Sequence, residues 1–132
     1  MINQLELVVA SLEQVAERDI DLTPAIYQIF FDRCSAALPL MGHSDEYMRG
    51  RMAAQIFELL IDDAHLGEGG YLSWEVDAHC KDYGVDPAMY DVLFAAVKSA
   101  VKEAISDGWN SEFDAAWDYR IEHLLAEISR LN

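Results

Sequence analysis

The sequence predicts an all-α fold of about six to seven helices in one domain. Three observations carry this. Apolar residues recur at helical spacing through nearly every segment. No segment alternates with period two over a length that would make a strand. Helix start and stop residues punctuate the chain at sensible intervals, and its 132 residues suffice for one substantial core.

The elements follow in order. Leu5, Val8 or Val9, Leu12 and Val15 or Ala16 form an apolar stripe, so a first helix is expected over roughly residues 2–18. In "DLTPAIYQIFF", Thr23 is placed to cap a second helix and Pro24 to sit in its first turn, where a missing N–H costs nothing. That helix should run to about Cys34, and Pro39 should end whatever continues from it. Ser44 is expected to open a third helix with Met48, Met52, Ile56 and Leu59 or Leu60 on one face. "GEGG" at 67–70 is a break. Ser73 should then open a short helix closed by Gly84, with Asp86-Pro87 capping the next. Tyr90, Leu93 or Phe94, Val97, Val101 and Ile105 form that helix's stripe, and Gly108 is expected to stop it. Ser111 with Asp114 resembles a capping box before a last helix carrying Phe113, Trp117, Ile121, Leu124 or Leu125, Ile128 and Leu131. Phe30, Phe57, Val97 and Trp117 are expected in the core.

Composition narrows the function classes. Hydrophobic residues make up 52%, which excludes a disordered chain. Twenty-four acidic against nine basic residues give a formal charge of -15. Such a surface repels nucleic acid and anionic membranes, so neither is an expected partner. It suits a basic protein partner, or simply solvates outer helix faces. Cys34 and Cys80 form no disulfide or CxxC pattern. The start lacks a basic leader, and the best apolar run, "AAQIFELLI", is short and contains Glu58. The expectation is a soluble, cytoplasmic protein.

The chemistry-bearing stretch is "HCKDYGVDPAMY", His79 to Tyr90. His79 beside Cys80 could ligate zinc, but a structural zinc site needs four ligands and no second pair is present. His43, His65 and His123 are scattered, as surface residues would be. No P-loop, GxGxxG, GxSxG, HExxH or CxxCH pattern occurs. By itself His79 reads either as a ligand or as a polar residue near a helix end.

Five stretches, in order, resemble the globin family, and bacterial haemoglobins in particular. "IYQIFFDR" is similar to the end of the B helix and "ALPLM" to the C helix and CD corner. "SDEYMRGRMAAQIFELL" is similar to the E helix. "HCKDYGVDPAMYDVLFAAV" resembles the proximal-histidine segment running into the G helix. "GWNSEFDAAWDY" resembles the GH turn and the start of the H helix. The resemblance spans residues 23 to about 125. The His-x-x-Tyr-Gly-Val-x-Pro-x-x-Tyr spacing is its most specific part.

The resemblance implies a globin-like fold, haem (iron protoporphyrin) as cofactor, and His79 as the proximal iron ligand. The backbone carbonyl of Glu75, one turn earlier, would accept the other imidazole N–H, or its carboxylate would, making His79 a stronger electron donor. Tyr27 falls where many bacterial globins place a distal tyrosine, whose phenol would donate to a diatomic ligand; as a core residue it would bond a carbonyl instead. Arg49, thirty residues before His79, falls at the distal E-helix position. There it would bond a ligand, pair with a propionate or attract an anion, or else stand in solvent. Met52 and Ala53 would face the ring, and Val85 and Tyr90 would pack under and beside it.

Met41 stands where globins carry a phenylalanine on the haem; it would touch the ring or reach the iron as a sixth ligand. Ser35 replaces a common proline, and the distal position has no histidine. These departures motivate a second reading, a haem-free globin-like sensor or protein-interaction domain. A third is an acidic mimic of nucleic acid that blocks a basic protein. The leading expectation is a protein that binds oxygen or another diatomic gas for transport, sensing or scavenging. Nitric-oxide dioxygenase or peroxidase activity is left open and would draw on an external reductase. A homodimer through the last two helices is expected by analogy.

Overall fold

The computed structural model describes residues 3–42, 44–62 and 88–131. All regular structure among them is helical. Six α-helices follow in order: α1 Gln4–Glu17, α2 Thr23–Arg33, α3 Ala37–Leu40, α4 Glu46–Ile61, α5 Ala88–Ile105 and α6 Ser111–Leu131. A 3-10 turn, Ser106–Gly108, joins the last two. The all-α expectation holds, and this helix order is consistent with a globin-like fold. The expected "GEGG" break, the Ser73–Gly84 helix and the Asp86-Pro87 cap lie outside the described residues, as do His43, His65, His79, Cys80 and Val85.

Helix starts obey the capping rule, but with neighbours of the expected residues. Asn3 caps α1, its side-chain oxygen accepting from the Glu6 N–H at 2.8 Å. Thr23 does not cap α2. It is the first helical residue, and its N–H donates to the Asp21 carboxylate at 3.0 Å. Pro24 takes the first turn as expected. Asp45 rather than Ser44 caps α4, accepting from the Met48 N–H at 2.8 Å. Asn110 rather than Ser111 caps α6, accepting from the Phe113 N–H at 2.8 Å. The Asp114 carboxylate instead accepts from the Trp109 indole at 3.3 Å.

Helix ends follow the same logic. Cys34 leaves the helical region at φ -139 and ψ 81, ending α2. Pro39 does not block α3, because in a four-residue helix its absent N–H falls among donors that have no intrahelical acceptor anyway. Helix α5 stops at Ile105, before Gly108, where Ser106 turns left-handed at φ 48. That conformation is uncommon for a non-glycine residue.

The main core draws on five of the six helices. Val8 and Val15, Ile26, Ile56 and Leu60, Phe94, Val97, Val101 and Ile105, then Trp117, Leu124 and Ile128 are all buried in it. Helix α1 packs most extensively on α6, and α2 on α5. Each fully buried side chain of this kind contributes roughly 1.5–3 kcal/mol. Of the expected core aromatics, Phe30 and Trp117 are buried and Phe57 packs half-buried against the core. The buried Trp117 indole donates to Ser11 Oγ at 2.8 Å. Ser11 Oγ in turn donates to the Val8 carbonyl at 2.7 Å, so this polar pair is satisfied inside the core. No described helix is long and apolar enough to cross a membrane.

Candidate functional site

A second, smaller apolar cluster gathers around Tyr27. Tyr27 and Phe30 from α2, Ala37 from α3 and Ala96 from α5 form its buried centre. Phe31, Cys34, Met41, Met89, Val92 and Leu93 pack half-buried around it. The sequence explains the convergence. Tyr27, Phe30 and Phe31 fall on one side of α2 at spacings of three and four, and the α3 turn brings Met41 back over that side.

Helix α4 contributes the polar part. The Tyr27 hydroxyl donates to the Arg49 main-chain carbonyl across 3.4 Å, a long bond. The Arg49 guanidinium lies over two rings, 5.1 Å from the centre of Phe31 and 5.7 Å from that of Tyr27. Its Nε donates to Ser44 Oγ at 2.9 Å, and Ser44 Oγ donates to the Met41 carbonyl at 2.6 Å. One chain of contacts therefore runs from Tyr27 through Arg49 and Ser44 to Met41.

Burial fixes the chemistry of Tyr27. Taking the phenol out of water disfavours its anion and pushes its pKa up to about 12, although the Arg49 charge pulls the other way. At neutral pH Tyr27 is a hydrogen-bond donor and no base. The Arg49 guanidinium offers N–H donors and no acceptor. The site thus combines an apolar wall with two donors, one neutral and one charged.

The expected site residues do not all converge. Tyr27, Met41 and Arg49 come together as described. Ala53, one turn beyond Arg49 on α4, is buried, and Met52 is half-buried. Tyr90 packs against the main core, its ring 6.4 Å from that of Phe94, and is not part of the Tyr27 cluster. His79 and Val85 lie outside the described residues. Among the described residues, no group of three or more His, Cys, Asp or Glu side chains could hold a metal ion. His123 is exposed, as expected of a surface histidine.

Sequence reasoning missed Phe31, Ser44 and Arg120. Phe31 was visible only as half of a Phe-Phe pair. Ser44 was taken for a helix cap. Arg120 had no signal, because an arginine on an amphipathic helix reads as part of the wet face. It is instead only 5% exposed. Its guanidinium donates to the carbonyls of Leu59 at 2.6 Å, Leu60 at 3.1 Å and Asp62 at 3.4 Å. Helix α4 has no basic residue in its own last turn. Arg120 of α6 supplies the cation that its C-terminal carbonyls favour.

No protein-family model matches this chain, and no curated protein matches it in sequence.

Proposed function

We propose that the chain is a globin-like haem protein that binds oxygen or another diatomic gas. The supporting observation is the Tyr27–Arg49 pair set against the apolar wall of Phe30, Phe31, Met41 and Leu93. A flat, largely apolar macrocycle needs such a wall, and a small polar ligand needs a few fixed donors beside it. The described donors fit that need. Tyr27 stays protonated and would exchange its long bond to the Arg49 carbonyl for one to the gas, and Arg49 is held against two rings. Bound haem supplies an iron at which a diatomic gas is held. In this reading His79 would ligate the iron, Tyr27 and Arg49 would orient the gas, and Met41, Met52 and Ala53 would shape the space around the ring, with Val85 and Tyr90 beside it. A cytoplasmic location, an external reductase for any turnover, and a homodimer belong to the same proposal.

The test is an absorption spectrum of the purified protein titrated with haemin, beside His79→Ala. A stoichiometric Soret band that shifts or disappears in the variant supports the proposal. No Soret change in either protein overturns it. That outcome favours the second reading, a haem-free sensor or interaction domain. One observation speaks for that reading: the Tyr27 phenol already has an acceptor in the Arg49 carbonyl, and the side chains around it pack on one another.

A further inference from the structure

We infer that the first part of α4, residues 46–52, is a hinged lid over Tyr27 and Phe31, which opens by local unfolding while the rest of the helix stays in place. The inference goes beyond the haem proposal and does not rest on it.

The two parts of α4 are held differently. Its buried residues, Ala53, Ile56, Leu59 and Leu60, all lie in the later part. There Arg120 also donates to the carbonyls of Leu59, Leu60 and Asp62. None of residues 46–52 is buried, and Tyr47 and Met48 are 73% and 39% exposed. This first part is tied to α2 through Arg49. The Arg49 carbonyl accepts from the Tyr27 hydroxyl across a long 3.4 Å, and its guanidinium lies over the Phe31 and Tyr27 rings. Other contacts run within this part or to the turn just before it. The Met48 N–H donates to Asp45, Arg49 Nε donates to Ser44, and the Arg51 guanidinium lies 6.0 Å from the Tyr47 ring centre. Such contacts move with the lid and do not hold it down.

Gly50 weakens the same part. A β-carbon at this position would meet nothing within 4 Å beyond its own stretch of helix, so packing does not demand a glycine. A glycine inside a helix is destabilising, because it loses more conformational freedom on folding than alanine does. This weak point adjoins Arg49, the residue that carries both ties to α2. Segments with few buried apolar contacts are the ones that open locally. Ala53 is the first buried residue of α4, and the hinge falls there. Tyr27 is only 4% exposed, so the structure shows the lid closed. Opening uncovers the Tyr27 phenol and the Phe31 ring, and so controls access to the apolar wall behind them.

The test is native-state amide hydrogen exchange, followed by NMR on the purified protein in low urea without added haemin. The Gly50, Arg51 and Met52 amides should share one opening that depends little on urea. Their protection should be at least roughly tenfold below that of Leu59 and Leu60. Gly50→Ala should raise the protection of Arg51 and Met52 roughly two- to fivefold. Tyr27→Phe, which removes one tie, should lower it roughly two- to tenfold. Exchange of all five amides through the same urea-dependent unfolding overturns the inference. Protection that climbs residue by residue from Gly50 marks ordinary end fraying and overturns it too, as does unchanged protection in either variant. The haemin titration bears on the haem proposal alone.

Discussion

Tyr27 and Arg49 hold each other in two ways. The Tyr27 hydroxyl donates to the Arg49 carbonyl at 3.4 Å, and the Arg49 side chain returns to lie 5.7 Å from the Tyr27 ring centre. One contact ties α2 to the backbone of α4, and the other closes a charged lid over the ring. The pair thus joins packing to chemistry at one point, and its properties can be measured directly.

Tyr27 should ionise later than an ordinary tyrosine. Its folded pKa, about 12, lies above the ordinary 10.0 because burial disfavours the phenolate. Its contribution to stability is therefore fully present below pH 10 and lost as pH rises from 10 to 12. The loss is roughly 3 kcal/mol, two pKa units at about 1.4 kcal/mol each. A spectrophotometric titration of tyrosinate absorbance should show a late step that Tyr27→Phe removes. A step at the ordinary tyrosine pKa would refute the expected burial.

Arg120→Met should destabilise the protein by about 2–4 kcal/mol in urea unfolding, because it leaves buried carbonyls at the end of α4 without their donor. Arg120→Lys should recover only part of this, since an ammonium cannot span carbonyls on three residues as a planar fork does. Equal stability of the Met variant and the wild type would show that the bonds contribute nothing net.

Ser11→Ala should cost about 1–3 kcal/mol, the penalty of leaving the buried Trp117 indole N–H without an acceptor. Restoring a hydroxyl with Ser11→Thr should return much of it, unless the added methyl overpacks a site that is fully buried. Chemical unfolding monitored by tryptophan fluorescence measures both.

The near misses in capping show how far local reading reaches. Ser44 and Asp45 are adjacent, as are Asn110 and Ser111. Any of the four can cap a helix, and the choice depends on the residue at which the backbone leaves the helical region. The site shows the same boundary. Tyr27, Met41 and Arg49 were legible as candidates and do meet in space. Tyr90, legible by the same pattern, packs into the other cluster. Spacing places a side chain on a face of its helix but does not name the helix opposite.

The sequence by itself determined the five long helices among the described residues, their approximate ends and which face of each is apolar. These follow from the 3.6-residue period and from the local preferences of proline, glycine and capping side chains. Only the tertiary structure decided which polar groups are buried and what satisfies them. Ser11 and Trp117 are 106 residues apart, and Arg120 reaches carbonyls about 60 residues earlier. Tyr27 acquires its raised pKa, and Arg49 its two aromatic partners, only when α2 meets α4. Periodicity is a property of neighbours along the chain. Desolvation and hydrogen-bond partnership are properties of neighbours in space, which only packing supplies.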